Sequence, residues 1–298
     1  MKKKFYAASV TPFTDNDKVD IESAIRILKR VSAAGGTGTF LFGTMGEWAQ
    51  LTQDERAEIL KAVSSESNIG DLLVGISEDS LKRTLLNMDR SMKYRSGGFV
   101  VMLPNMRTSQ VDPTVYFHTL CDHSDRPVYF YYAPVNNNIV LSPEQISDIV
   151  SHPKCGGVKN SAGQIALRKE LLVLKQKKDF MLFEGCEWAI DEALAFGCDG
   201  VVCGIGALAP AAIHKILTLV ERGELSKAAE MQLILIDLFH EVYGKHSWIG
   251  QKYALKVLGV IPSEQCRIQP KEMLSVERRR EIESAVEKYH FLLEERYE

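Results

Sequence analysis

Short apolar runs of strand type alternate with longer stretches of helical period from the N-terminus to about residue 224. The runs are Tyr6–Val10, Gly38–Phe42, Leu72–Ile76, Phe99–Leu103, Val128–Tyr132, Cys155–Lys159, Phe180–Glu184 and Gly200–Gly204. Eight parallel strands, each followed by a helix, fit a closed barrel better than a doubly wound sheet, which usually has fewer strands and a break at a switch point. The alternation therefore predicts an α/β fold, a (β/α)8 TIM barrel.

The helical stretches divide the chain into two predicted parts. Between the strands, Ile21–Ala33, Gln53–Ser64 and Ile165–Lys177 have the apolar period of crossover helices. After residue 224 the chain shows only three helical segments, at about 225–244, 249–259 and 275–296. We therefore expect a catalytic (β/α)8 barrel over residues 1–224 and a C-terminal helical extension over residues 225–298 that packs on the barrel.

The composition excludes several classes of protein. The chain has 298 residues, of which 45% are hydrophobic and 25% charged, as in an ordinary soluble protein. Its formal net charge is −3, and Lys and Arg are spread along the chain, so we expect neither a nucleic-acid nor a membrane partner. The basic start is not followed by a long apolar segment or a small-residue cleavage site, and we expect a cytoplasmic protein.

The cysteines and histidines show no metal or disulfide pattern. None of the six cysteines forms a CxxC pair, and several lie in apolar stretches, which is typical of free core thiols. The seven histidines are isolated from one another and from Cys or Asp at zinc-ligand spacing. We therefore expect neither a protein-bound metal nor another cofactor.

Lys159 ends the sixth predicted strand, which begins at Cys155. Active sites of such barrels lie at the C-terminal ends of the strands, so this amine is expected in the barrel mouth. An ammonium held beside apolar surface loses hydration, which favours the free amine that attacks a carbonyl and forms a Schiff base. The alternative is a strand-end lysine that reaches solvent. Gly156 and Gly157 leave the strand bare, consistent with close approach inside a crowded barrel.

A loop with two glycines, Gly43 and Gly46, around Thr44 and Met45 follows the second strand. Its backbone N–H groups and the Thr44 hydroxyl suit a carboxylate, such as that of a 2-oxo acid. The alternative is a tight turn in which Thr44 only caps the following helix.

Tyr131 belongs to an aromatic strand in which Tyr129 shares its face, whereas Phe130 and Tyr132 take the other. The period of two does not reveal which face is the barrel interior. A phenol near the amine would relay protons during imine formation, and simple core packing is the alternative.

The eighth strand ends at Cys203 and Gly204. A GxGxxA sequence begins at Gly204 and leads into a helix. A dinucleotide fingerprint has this form, but the acidic residue near the required offset, Glu224, lies between helices, and a Rossmann unit would start the chain. We interpret this segment as a wall of the substrate pocket or a small-anion site.

Taken together, these positions resemble the dihydrodipicolinate synthase and N-acetylneuraminate lyase family of class I aldolases over the full length of the chain. The matching segments are Val10-Thr11-Pro12-Phe13, Gly43-Thr44-Met45-Gly46-Glu47 with Leu51-Thr52 and Glu55-Arg56, Tyr131 with Pro134, Gly157-Val158-Lys159 with Ser161-Ala162-Gly163, Gly197-Cys198-Asp199-Gly200, and Lys252-Tyr253-Ala254-Leu255 with Leu258-Gly259. Their order and spacing make the resemblance specific.

The resemblance implies that Lys159 forms an imine with pyruvate or a related 2-oxo acid, that Tyr131 moves protons, and that the Thr44 loop holds the carboxylate. The resulting enamine would attack an aldehyde or be released by carbon–carbon cleavage, with no metal required because the iminium accepts the electrons. The resemblance also implies a homo-oligomer, a tetramer or a dimer.

Four departures from the family pattern concern the substrate. Met45 stands where the family has a second hydroxyl residue, Asn136 where the synthases have an arginine, and Met106 where they have a tyrosine contributed across a subunit interface. After strand 7, Glu187 and Trp188 keep half of the acidic pair of the sialic acid lyases. The departures favour an acceptor other than aspartate semialdehyde, in a polar pocket that includes Glu187 and Asn136.

The sequence thus predicts a Schiff-base aldolase or lyase resembling N-acetylneuraminate lyase, which acts on a 2-oxo acid of pyruvate type and an aldehyde or sugar-acid partner. Three alternatives stay open. They are a condensation like that of dihydrodipicolinate synthase, a 2-keto-3-deoxy sugar acid dehydratase that uses the same imine, and a non-catalytic protein that binds a 2-oxo acid.

Overall fold

A computed structural model describes residues 2–104 and 112–293. Eight parallel strands of these residues close into a barrel in chain order, with the first strand paired to the eighth. The strands are β1 (Lys4–Ala8), β2 (Gly38–Leu41), β3 (Asp71–Gly75), β4 (Gly98–Val101), β5 (Val128–Tyr132), β6 (Cys155–Asn160), β7 (Met181–Glu184) and β8 (Gly200–Cys203). The predicted barrel is confirmed, although β1 begins two residues earlier than its apolar pattern indicates.

Helices connect the strands on the outside of the barrel. They are α1 (Ile21–Ala33), α2 (Gln53–Ser64), α3 (Leu81–Ser91), α4 (Pro113–His123), α5 (Pro134–Asn137), α6 (Pro143–Ile149), α7 (Ile165–Lys175), α8 (Ile190–Ala195) and α9 (Pro210–Glu221). Local caps explain why α1 and α2 begin where the sequence predicts: Asp20 accepts from the Ser23 backbone, and Thr52 and Glu55 form a capping box.

Up to residue 293, where the described part of the chain ends, four further helices follow the barrel: α10 (Leu225–Tyr243), α11 (Ser247–Val257), α12 (Val276–Lys288) and α13 (His290–Leu293). The predicted last segment is thus two helices, which meet at Tyr289. The apolar sides of these helices join one buried core with β1, β8 and α9. Among the described residues, we find no helix with the length and apolar character that a membrane span requires.

The barrel interior is filled by side chains that alternate along the strands. They are Tyr6, Ala8, Phe40, Leu73, Val100, Met102, Tyr131, Ala133, Phe183 and Val202. Tyr129 packs against this group, whereas Phe130 and Tyr132 pack between the strands and the helices. The face that periodicity left undetermined is therefore settled: Tyr131 points into the barrel.

A bulge in β6 sets the position of Lys159. Val128 pairs with Cys155, but the next residue of β5, Tyr129, pairs with Gly157, so Gly156 is the extra residue. A Cβ at Gly157 would lie 2.2 Å from the Met181 carbonyl oxygen, and only glycine fits. Beyond the bulge Tyr131 pairs with Lys159, which brings the phenol and the amine side by side.

Candidate active site

A cavity of about 220 Å³ opens at the C-terminal end of the barrel. It is lined by Ala8, Thr44, Met45, Tyr131, Ala133, Val135, Asn136, Lys159, Ser161, Gly185, Glu187, Val202 and Gly204. A larger cavity, of about 330 Å³, lies beside Gly35 and His214, at the opposite end of the barrel. We take the former as the candidate active site, because barrels of this kind carry their chemistry at the C-terminal ends of the strands.

Lys159 is buried in this cavity, with 6% of its surface exposed. Its Nζ lies 4.1 Å from the ring centre of Tyr131 and 4.9 Å from that of Phe40. Gly185 leaves room for it, since a Cβ there would lie 3.1 Å from Lys159 Cε and 2.0 Å from Ser161 Oγ. The amine is therefore held against two aromatic faces inside the barrel, and the alternative of a lysine that reaches solvent does not describe it.

Three polar side chains form a cluster beside the amine. Thr44 Oγ1 lies 3.4 Å from the Tyr131 hydroxyl, and Asn136 Nδ2 donates to Thr44 Oγ1 at 3.1 Å and to the Tyr131 hydroxyl at 3.5 Å. Burial alone would raise the pKa of Tyr131. The positive charge of Lys159 and hydrogen bonds with Thr44 and Ser161 outweigh it, so the pKa is lowered from its ordinary value of 10.0. This phenol therefore releases its proton more readily.

The Thr44 loop is held from both ends. The Thr11 hydroxyl donates to the Gly46 carbonyl at 2.7 Å, and Trp248 Nε1 donates to the Thr44 carbonyl at 2.9 Å. The Thr44 side chain caps no helix, because α2 has Thr52 as its cap. Only Thr44 and Met45 of the loop line the cavity.

The two loop glycines predicted to bind substrate pack closely against the barrel. A Cβ at Gly43 would lie 2.6 Å from the Phe40 ring, and one at Gly46 would lie 3.1 Å from the Ser9 carbonyl. Neither glycine is among the lining residues. Their glycine identity thus follows from the tight packing of the loop on the barrel rim.

Glu187 is half-buried on the cavity wall, next to Gly204. Its Oε1 accepts a hydrogen bond of 2.6 Å from the Ile205 backbone. Loss of hydration raises the pKa of this carboxyl, although the hydrogen bond and the charge of Lys159 act in the opposite direction. A Cβ on Gly204 would lie 2.7 Å from Met45 Cγ and 3.2 Å from Glu187 Oε1, so glycine lets the two walls meet.

A buried ion pair organises the loop that carries Glu187. Glu184 accepts from the backbone N–H groups of Gly185 at 3.0 Å and Cys186 at 2.8 Å, and its other oxygen accepts from Arg168 Nε at 2.7 Å. The Trp188 ring is half-exposed outside the cavity and lies 4.4 Å from the Phe239 ring centre.

A third predicted site residue, Cys203, also lies outside the cavity lining. Cys203 packs with Phe5 and Ala7 in the core between the barrel and the helices, and Val202, one residue earlier, lines the cavity instead. Strand alternation is the reason, because successive side chains point to opposite faces. Met106, which stands in place of the synthases' cross-subunit tyrosine, lies outside the described residues.

Sequence reasoning gave no role to two residues that the fold brings to the site or to its loops. Ser161 lines the cavity, and Trp248, on the C-terminal extension, donates a hydrogen bond to the Thr44 loop. Ser161 lies two residues beyond Lys159, so the period of a strand could have indicated it. No local pattern indicates Trp248, since its contact joins residues 204 positions apart.

The cavity thus combines a buried amine, a phenol of lowered pKa with a hydroxyl partner, and a carboxyl of raised pKa. Groups of these kinds support attack on a carbonyl and the proton transfers that follow. In the part of the chain that the structure describes, no three His, Cys, Asp or Glu side chains are grouped as metal ligands would be.

Comparisons with known proteins agree with this architecture. The sequence pattern of the dihydrodipicolinate synthetase family matches residues 1–289. A 4-hydroxy-tetrahydrodipicolinate synthase of Thermosipho africanus is 28% identical over 264 residues, which cover 86% of this chain and 89% of the relative. One from Pseudoalteromonas atlantica is 26% identical, covering 88% and 90% of the two chains.

Solved structures share the fold. A monomeric dihydrodipicolinate synthase variant superimposes with a TM-score of 0.88 at 22% identity, covering 98% of this chain and 97% of its own. CdNal from Clostridium difficile, solved in complex with mannosamine, has a TM-score of 0.88 at 19% identity, covering 97% and 99%. From its sequence match, the chain belongs to the dihydrodipicolinate synthetase family of Schiff-base aldolases, and it is an enzyme of the lyase class.

Proposed function

We propose that this enzyme forms a Schiff base between Lys159 and pyruvate or a closely related 2-oxo acid, and makes or cleaves a carbon–carbon bond at the resulting enamine. The observation that carries the proposal is the buried Lys159 amine, 4.1 Å from the ring centre of Tyr131 in the cavity at the strand ends.

Lys159, Tyr131 and the Thr44 loop have separate roles in this reaction. The Lys159 amine attacks the 2-oxo carbon, and Tyr131, supported by Thr44, supplies the proton with which the carbonyl oxygen leaves as water. Tyr131, now a phenolate, takes a proton from the adjacent methyl carbon, which converts the iminium to an enamine. The enamine adds to an aldehyde, and Tyr131 returns the proton to the aldehyde oxygen. The reverse sequence releases the aldehyde. The Thr44 loop, with its N–H groups at the cavity rim, holds the 2-oxo acid's carboxylate.

The aldehyde partner is proposed to be a hydroxylated, uncharged one, as in an N-acetylneuraminate-lyase-like reaction. Among the described lining residues, Lys159 is the one cationic side chain, and it is committed to the imine. Glu187 accepts hydrogen bonds from hydroxyls, and Asn136 is a neutral donor and acceptor. Both residues suit a polyhydroxy chain better than a second carboxylate.

A second candidate is condensation of pyruvate with aspartate semialdehyde. The names of the relatives favour it, because 4-hydroxy-tetrahydrodipicolinate synthases match most of the chain. It requires a counter-ion for the acceptor's carboxylate, and the described cavity lining offers no free cation for that purpose.

Borohydride reduction in the presence of pyruvate tests the imine. We expect a reduced pyruvate adduct on Lys159, located by mass spectrometry, and none in Lys159→Arg, which keeps the charge but is no nucleophile near neutral pH. Lys154→Arg, on the loop before β6, serves as the matched control and should still give the adduct. An adduct on another lysine, or none with a panel of 2-oxo acids, would contradict the proposal.

The acceptor is tested by supplying pyruvate with either aspartate semialdehyde or hydroxylated aldehydes such as N-acetylmannosamine and glyceraldehyde, and by assaying cleavage of the matching sugar acids. We expect kcat/KM at least tenfold higher for a hydroxylated partner. A preference for aspartate semialdehyde would establish the second candidate. Release of water from a deoxy sugar acid, without pyruvate, would indicate a dehydratase that uses the same imine.

A further inference from the structure

One face of α11 contacts two loops of the candidate active site. Trp248, Gln251 and Lys252 are spaced so that they share this face. Trp248 Nε1 donates to the Thr44 carbonyl at 2.9 Å, and Gln251 Nε2 donates to the Gly204 carbonyl at 2.7 Å. Lys252 pairs with Glu47, just after the Thr44 loop.

Each bonded carbonyl belongs to a peptide unit whose N–H points the opposite way, because the peptide is planar and trans. The unit after Gly204 shows the result: its carbonyl accepts from Gln251, and its N–H, on Ile205, donates to Glu187 at 2.6 Å. The same geometry after Thr44 turns the Met45 N–H away from Trp248. Hydrogen bonds at the two ends of one peptide polarise each other and strengthen both.

The helix that makes these contacts is itself held firmly. The side-chain oxygen of Gln269 accepts from the backbone N–H groups of Trp248 at 3.1 Å and Ile249 at 3.2 Å, at the start of α11. Glu47 and Lys252 are both fully buried, and Glu47 accepts a further bond of 2.7 Å from the Arg267 backbone. The extension therefore presents fixed donors to the loops.

We infer that Trp248 and Gln251 are positioning residues, which orient the peptide planes after Thr44 and Gly204. Trp248 acts on the loop that holds the 2-oxo acid's carboxylate, and Gln251 acts on the carboxyl of Glu187. The C-terminal extension thus helps to fix the geometry of the active-site loops. This inference rests on the proposed function for the identity of the ligand.

Trp248→Phe is the test, because it removes the indole N–H and keeps an aromatic ring. Tyr253→Phe is the matched control: it removes one hydrogen bond of the same helix, to Glu283 on α12, which lies away from both loops. The pyruvate concentration that gives half-maximal borohydride trapping should rise about tenfold in Trp248→Phe. A factor of this size is expected when binding must hold the Thr44 carbonyl in a buried position without a hydrogen-bond partner. It should change less than about twofold in Tyr253→Phe, and the trapping rate at saturating pyruvate should be similar in all three proteins.

Amide hydrogen exchange of residues 43–48 gives a second readout that needs no ligand. Exchange should be faster in Trp248→Phe than in Tyr253→Phe and the wild type. An unchanged half-saturation and unchanged exchange, or equal changes in both variants, would overturn the inference. If the wild type traps no pyruvate, the proposed function fails while exchange still decides the positioning role. If Trp248→Phe does not fold, Gln251→Met with exchange at residues 203–206 replaces it, with the same criteria.

Discussion

The Glu187 carboxyl lies in an environment that opposes its ionisation. It is half-buried on the cavity wall, and loss of hydration raises its pKa above the ordinary value of 4.5 despite the Ile205 hydrogen bond and the charge of Lys159. Groups kept in such environments reduce the stability of the folded state and are typical of functional sites. For this single residue, the loss of stability on ionisation can be measured from the pH dependence of unfolding.

Replacing Glu187 by Gln should stabilise the protein at neutral pH. A raised folded-state pKa means that the folded state binds the proton more tightly than the unfolded chain. Protonated Glu187 therefore stabilises the wild type below about pH 4.5, and this contribution is lost as the pH rises through the folded-state pKa. The melting temperature of Glu187→Gln should therefore exceed that of the wild type by on the order of 2 °C at pH 7 and match it near pH 4.

The same variant should trap pyruvate normally but turn over its aldehyde partner at least tenfold more slowly. Glu170→Gln, an exposed substitution on α7, is the control and should show no pH-dependent difference. If the melting temperatures of Glu187→Gln and the wild type differed by the same amount at every pH, ionisation of Glu187 would not be the cause of the difference.

At the scale of an element, the bulge in β6 decides which residue faces Tyr131. If β6 continued from the Val128–Cys155 pair without a bulge, Val158 rather than Lys159 would lie opposite Tyr131. The bulge requires Gly157, since its missing side chain is what lets the Met181 backbone approach. The two glycines next to the lysine thus position the amine as directly as any hydrogen bond does.

Gly157→Ala should lower the free energy of unfolding by about 3 kcal/mol, because the new methyl meets a rigid backbone carbonyl and forces β6 or β7 to shift. Gly223→Ala controls for backbone conformation alone. Its φ is +76° and nothing lies within 4 Å of the added Cβ, so about 1 kcal/mol is expected. Urea unfolding measures both, and borohydride trapping with pyruvate should be slowed only in Gly157→Ala. Equal losses would show that the close approach is unimportant.

At the scale of the whole molecule, the buried pair Glu47–Lys252 joins the loop after β2 to α11, 205 residues later. Burial lowers the pKa of Lys252, and the charge of Glu47 opposes that shift. Lys252 Nζ also donates to the Gln265 carbonyl at 2.9 Å and lies 4.3 Å from the Phe13 ring centre. A fully buried ion pair thus joins the barrel to its C-terminal extension.

Removing one member of this pair should destabilise the protein strongly, because the other is left as a buried, unpaired charge. We expect Lys252→Met and Glu47→Gln each to cost about 3 to 5 kcal/mol, and the double variant to cost clearly less than the sum. The exposed pair Glu224–Lys227 is the control, for which Lys227→Met should cost under about 1 kcal/mol. Additive losses in the double variant, measured by urea unfolding, would contradict the coupling.

The sequence by itself determined the barrel and the position of the amine along the chain. Strand and helix periods are local, and caps such as Thr52 act over three residues, so β5, α1 and α2 begin and end where their patterns predict. Lys159 at a strand end follows from the same local pattern, combined with the rule that barrels carry their chemistry there.

Only the tertiary structure decided which side chains meet. Cys203 turned out to face the helices, because the side of a strand that lines the barrel depends on how the ring closes. The bulge at Gly156 set Lys159 beside Tyr131, and the contacts of Trp248 and Gln251 with the loops arise from packing between residues about 204 and 47 positions apart. Such contacts depend on the closure of the barrel and the docking of the extension, and no periodicity along the chain encodes them.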